Sequence, residues 1–106
     1  KQQSPIYDLA DVCRIAQSGN TNVERSANRD SRNHLFFEEE IIRCLCMLRP
    51  EHFYKCLEYK LDNGKTLFFD VYKAVCPNSD NSDIKMYIKF RISSNNWIFI
   101  GSFKPE

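Results

Sequence analysis

The order of apolar and polar positions along the chain changes period once, and the change divides it into a helical and a β half. Ser4 and Pro5 have the form of an N-cap and a first helical position, and Ile6, Leu9, Cys13 and Ala16 follow at helical spacing until Gly19. This predicts a first helix over residues 5–18. Residues 20–33 are polar and read as a loop holding a short helical turn around Arg25 to Arg29. Glu38, Glu39 and Glu40 place acids at the positive end of a helix dipole, and Ile41, Ile42, Leu45 and Leu48 supply one apolar face before Pro50. A second helix is predicted over 37–48.

Beyond Pro50 the apolar period is two. Asn63-Gly64 between two β-rich runs is a strong hairpin signal, joining strands over 54–61 and 65–73. Ile84, Met86, Ile88, Phe90 and Ile92 alternate with polar residues over 84–92, and Ser93 to Asn96 turn the chain into a last strand over 97–104. Two helices ahead of four strands predict an α+β fold, with the helices packed on one face of an antiparallel sheet.

These turns imply registers. If Lys55 pairs with Tyr72, then Lys55, Asp70 and Tyr72 share a face. If Ile92 faces Trp97, then Phe90 meets Phe99, Ile88 meets Gly101 and Met86 meets Phe103, which makes one face wholly apolar. The other face then carries Lys85, Tyr87, Lys89, Arg91 and Lys104, with Tyr87 opposite Ser102 and Lys104 diagonal to it.

Composition narrows the class. At 106 residues the chain suits a single domain over 1–106, and 42% hydrophobic residues with 13% aromatics exclude a disordered or fibrous chain. No apolar run approaches the roughly 18 residues of a membrane span, and the polar start lacks the core of an export signal, so a cytoplasmic location away from membranes is expected. The five cysteines, Cys13, Cys44, Cys46, Cys56 and Cys76, are then expected as reduced, buried thiols. Cys44 and Cys46 do not form half of a zinc site, because i and i+2 point about 200° apart on a helix and no second pair stands at ligand spacing. No metal or organic cofactor is expected in this chain.

The net charge of +1 argues against a general nucleic-acid coat protein. Its distribution is more telling, because Lys85, Lys89, Arg91 and Lys104 fall in a stretch free of Asp and Glu, which suits an anionic partner. A tyrosine ringed by cations on an open sheet face can serve phosphodiester cleavage, where charge develops on a phosphorane. The simple reading of such a face is a solvated one, since antiparallel sheets often leave one side polar. His34 and His52 are the candidates for a base near neutral pH, yet neither sits in a recognisable pair, and His52 has the position of a helix-cap residue. Three glycines cannot build a phosphate-cradling loop, and no Ser-His-Asp order or pair of catalytic acids can be assembled.

Four short blocks occur in order: Phe53-Tyr54-Lys55, Asp70-Val71-Tyr72, Tyr87-Ile88-Lys89 and Ser102-Phe103-Lys104, with Arg25-Ser26-Ala27 upstream. From about Val23 to its end the chain resembles the motility quorum-sensing regulator (MqsR-like) toxins. The resemblance implies a RelE-like fold, an mRNA endoribonuclease (mRNA interferase) of a type II toxin–antitoxin system, and a cognate antitoxin carrying a helix-turn-helix. It implies Lys55, Tyr87 and Lys104 as catalytic residues, while the register reading of the polar faces leaves Lys85, Lys89, Arg91 and Tyr72 available to hold RNA. A glutamine associated with cleavage in that family falls on Phe69, which can neither donate nor accept a proton. A binding module that kept the fold and lost the activity is therefore the competing expectation.

Overall fold

The computed structural model describes residues 3–106. Among these residues the elements run α1 (Leu9–Gln17), β1 (Thr21–Val23), α2 (Arg25–Asn33), α3 (Glu38–Met47), a 3-10 turn at Pro50–His52, β2 (Phe53–Lys60), β3 (Thr66–Pro77), β4 (Asp83–Ile92) and β5 (Ile98–Pro105). The strands form one sheet in the order β1-β5-β4-β3-β2. β1 runs parallel to β5, and the other neighbours are antiparallel. The helices cover one face in an α+β arrangement, and between them and the sheet lies a core that includes Val12, Phe36, Leu45, Ile88, Phe90 and Phe103. No helix among the described residues is long and apolar enough to cross a membrane.

α1 is shorter than its apolar spacing suggests. Its N-cap is Asp8, whose side chain accepts from the Ala10 N–H, while Ser4 and Pro5 belong to a strap that precedes it. The stretch read as a loop contains both β1 and α2. The nine residues of α2 bury only Ala27 and Ser31, four positions apart, so the helix carries little apolar signal of its own. β1 is three residues long and exists through pairing with a strand some 77 positions away (Thr21 with Ile98), which no local pattern announces. α3 follows its expected bounds closely, and Glu40 accepts from the Phe37 N–H at 2.9 Å to close its first turn.

Both hairpins turn through three residues rather than the assumed two and four. Leu61 N–H donates to the Lys65 carbonyl, and Gly64 takes φ +85°. Ser93 N–H donates to the Trp97 carbonyl, and Asn96 takes φ +62°. A turn whose last residue sits in the left-handed region is a common three-residue hairpin loop. The slip of one residue reverses faces. Lys55 pairs with Val71, not Tyr72, and Cys56 pairs with Asp70, so Asp70 and Tyr72 turn inward while Lys55 stays on the open face. In the second hairpin Phe90 meets Ile100, and Phe99 joins Arg91 on the open face. An irregularity at Gly101 then restores the alternation, so that Ile88 meets Phe103 and Tyr87 meets Lys104 directly.

The reversal gives the Asp70-Val71-Tyr72 block a structural role. Fully buried Asp70 accepts from the N–H groups of Ile6 (2.9 Å) and Tyr7 (2.9 Å) and from the Cys56 thiol (3.2 Å), fastening the strap ahead of α1 to the sheet. Burial and this carboxylate push the Cys56 thiol up to about 11. Asp70→Ala should leave these donors unpaired and lower unfolding stability by about 3 kcal/mol; a denaturation midpoint equal to that of the parent chain would contradict this account.

The reduced state expected for the cysteines is corrected. Cys13 is joined to Cys46, which ties α1 to α3, and Cys44 is joined to Cys76, which ties α3 to β3. Cys56 is free. Cys44 and Cys46 do point to different sides of α3, each toward its own partner. An odd count is compatible with two bridges and one thiol, and the sequence holds no local sign of which helix faces meet.

Candidate functional site

The face opposite the helices is built from rows of side chains that run across the strands. One row is Lys73, Tyr87 and Lys104, and the next along the strands is Lys55, Val71, Lys89 and Ser102. The third is Leu57, Phe69, Arg91 and Phe99, with Asn22 of β1 beyond Phe99. Period-two alternation on twisted, bulged strands is what lines them up.

Tyr87 and Lys104 come together as direct partners in the first row. Lys104 Nζ lies 5.6 Å from the centroid of the Tyr87 ring, and the two residues flank a shallow groove of about 590 Å³ together with Tyr59, Lys89 and Ser102. Lys104 is exposed and Tyr87 half-buried, so the ring is fixed while the ammonium reaches solvent. Lys89 crosses over Gly101 and hydrogen-bonds the Tyr59 hydroxyl at 3.1 Å. A Cβ at position 101 would stand 2.8 Å from Lys89 Cε, so the glycine makes room for that crossing. The bulge and the glycine together aim a second cation along the groove.

The other anticipated residues are placed differently. Lys55 does not line the groove; its Nζ lies 5.2 Å from the Tyr54 ring, and Val71 separates it from Lys89 within the row. Lys85 pairs with Glu106 at 3.2 Å, and Glu106 also holds Lys73 at 2.7 Å. Hydrogen bonds from the two lysines hold the Glu106 carboxyl below the usual carboxylate range, and the Glu106 hydrogen bond raises Lys73 in turn. Lys73 also lies 3.7 Å from the Tyr54 ring. Arg91 sits between Phe99 (4.5 Å) and Phe69 (6.0 Å), measured to ring centroids.

Tyr72 is a correction. It is fully buried, stacks on Phe90 at 5.6 Å between centroids, and cannot meet RNA, because the one-residue register shift turns it into the core. Burial pushes its phenol up to about 12, with the negative charge of Asp70 adding to the effect, so it stays protonated. Its hydroxyl has no hydrogen-bond partner among the described residues.

Neither histidine lies in the groove. His52 Nδ1 accepts from the Arg49 N–H at 3.0 Å and closes the turn before β2, the capping position its sequence context suggests. His34 Nδ1 lies 3.0 Å from the Asp30 carbonyl at the end of α2. Among the described residues no three of His, Cys, Asp and Glu converge in a group that could hold a metal ion.

Tyr59 and Phe99 are the groove and face residues that sequence reasoning did not place on this face, whereas Ser102 was placed on it but opposite Tyr87 rather than Lys89. Tyr59 was legible in principle, since it alternates with Leu57 and Lys55; Phe99 was hidden by the assumed turn length.

The groove offers two ammonium groups, Lys89 and Lys104, and two phenols, Tyr59 and Tyr87. The Glu106 carboxylate that also lines it is neutralised by Lys73 and Lys85, which leaves chemistry for an anion with a reactive phosphorus centre. Comparison with curated proteins finds no match for this sequence. A family match does exist and extends past the blocks of the β half to take in the strap and α1: residues 4–105 match the family described as motility quorum-sensing regulator, toxin of MqsA, and the chain belongs to that family.

Proposed function

We propose that this toxin is an endoribonuclease that cuts mRNA in the Tyr87–Lys104 groove by attack of a ribose 2′-hydroxyl on the adjacent phosphate. The observation that carries the reading is the direct pairing of Tyr87 with Lys104, with Lys89 aimed into the same groove.

In the step the 2′-oxygen bonds to phosphorus and loses its proton to solvent. The bond from phosphorus to the 5′-oxygen breaks, and that oxygen takes a proton from the Tyr87 hydroxyl, which solvent then restores. The products are a 2′,3′-cyclic phosphate and a 5′-hydroxyl. Lys104 and Lys89 counter the charge on the nonbridging oxygens as it develops, where fixed donors contribute most. The phenol of Tyr87 carries one O–H, which fits the donor role. Lys55, one row away and outside the groove, holds the incoming strand electrostatically rather than touching the reacting atoms. Arg91 extends the cationic track.

The partner in this reading is a cognate antitoxin. The family description names its toxin by MqsA, and the open face with edge strand β2, where among the described residues Gln3 Oε1 accepts from the Cys56 N–H, is a surface for such a partner. The test is incubation of the purified chain with a long synthetic RNA in excess EDTA. Discrete fragments are expected; intact RNA that is nonetheless bound would instead support the binding module.

A further inference from the structure

The same face carries a second hollow of about 340 Å³ where β1, β3, β4 and β5 meet, separate from the chemistry assigned to Tyr87 and Lys104. Phe69 and Phe99 are its aromatic walls, and the planar guanidinium of Arg91 lies between them. Phe69 is also the hub of a wider platform. Tyr59 meets it edge-on at 5.3 Å and 89°, and Lys89 Nζ lies 5.4 Å from its centroid on the side toward the groove.

Rings and a guanidinium plane on a cation-bearing sheet face are a stacking surface for flat π systems linked by negative charge. The remaining polar groups at the rim are Asn22 and Glu24. Ser26 Oγ–H donates to Glu24 Oε1 at 2.9 Å and steadies this carboxylate. A carboxylate can only accept hydrogen bonds, and it repels phosphate. A ligand that satisfies both the rings and Glu24 must therefore present a flat face and, at its edge, an amino group with two N–H donors, as adenine and cytosine do. The lone N3–H of uracil stands between two carbonyl oxygens that a carboxylate repels.

We propose that this hollow is a base subsite, in which Phe69 and Arg91 stack one unpaired nucleobase and Glu24 selects a base bearing an exocyclic amino group. Arg91 lies four residues along β4 from Tyr87, about 13 Å at strand rise, which suits a base flanking the phosphate held in the groove. Phe69, which stands where the resemblance places a glutamine, thus takes a part in binding rather than in proton transfer. The inference rests on the reading that the chain binds RNA, and its test separates the two.

Binding of labelled 2′-O-methyl oligocytidine, oligoadenosine and oligouridine is measured by fluorescence anisotropy, the 2′-O-methyl group blocking attack so that affinity is read without cleavage. The parent chain should bind the amino-bearing oligomers about tenfold tighter than oligouridine. Phe69→Leu, which keeps apolar volume and so the fold, should weaken binding about tenfold or more, and Phe69→Trp should restore it. Glu24→Gln should abolish the preference. Unchanged affinity in Phe69→Leu, or an unchanged preference in Glu24→Gln, would overturn the subsite even if unmodified RNA is cut. The expected binding pattern without any cutting of unmodified RNA would support the subsite and overturn the ribonuclease step instead.

Discussion

Tyr87→Phe and Lys104→Ala are each expected to slow RNA cleavage by about two orders of magnitude while leaving the fold intact, the usual scale for losing one donor aimed at transition-state charge. Phenylalanine keeps the ring that packs between Lys73 and Lys104 and removes only the hydroxyl oxygen that would protonate the leaving group. Lys104 is exposed, so its truncation leaves no cavity. Tyr72→Phe serves as the internal control. That hydroxyl is buried and unpartnered among the described residues, so its removal should leave cleavage unchanged and stability equal or slightly higher. Initial rates on one RNA, with circular dichroism on each variant, decide the matter. Parent-like rates in both groove variants, or a large loss in Tyr72→Phe, would contradict the assignment.

The largest effect on stability is expected from opening the two bridges. Cys13–Cys46 and Cys44–Cys76 span 33 and 32 positions, and each closes a loop whose constraint on the unfolded chain is worth about 3–4 kcal/mol in the chain-entropy account. The bridges are consecutive ties, α1 to α3 and then α3 to β3, and add covalent links to the apolar packing that holds α1 and α3 on the sheet. Dithiothreitol should lower the melting temperature by about 15 °C or more. The unfolded, unreduced chain should titrate one thiol, that of Cys56. Five titratable thiols, or a melting temperature indifferent to reductant, would contradict the pairing.

What the sequence made legible follows from where its information is local. α3 and the existence of both hairpins rest on periodicity, acidic first-turn residues and turn chemistry, and these survive into the fold nearly residue for residue. The faces of the first hairpin did not, because one extra loop residue, Asp62, moves every pairing by one and turns Asp70 and Tyr72 inward. Lys55 kept its face but not its assumed neighbours. In the second hairpin an error at the turn was partly offset by the irregularity at Gly101, which is why Tyr87 and Lys104 end up closer than the assumed diagonal. β1, α2 and the two bridges depend on partners distant in sequence. Phe69 looked like a loss when read against a glutamine; its position beside Arg91, Tyr59 and Phe99 became visible only once the strands were in register.

The central claim, cutting of RNA by its own 2′-hydroxyl in the Tyr87–Lys104 groove, is tested most directly by the chemistry of the new ends. RNA cut by the purified chain in excess EDTA should carry a 2′,3′-cyclic phosphate, or the 3′-phosphate formed from it, opposite a 5′-hydroxyl, and a single 2′-deoxy substitution at the cut site should block cutting there. A 3′-hydroxyl opposite a 5′-phosphate, or undiminished cutting at the deoxy position, would contradict it.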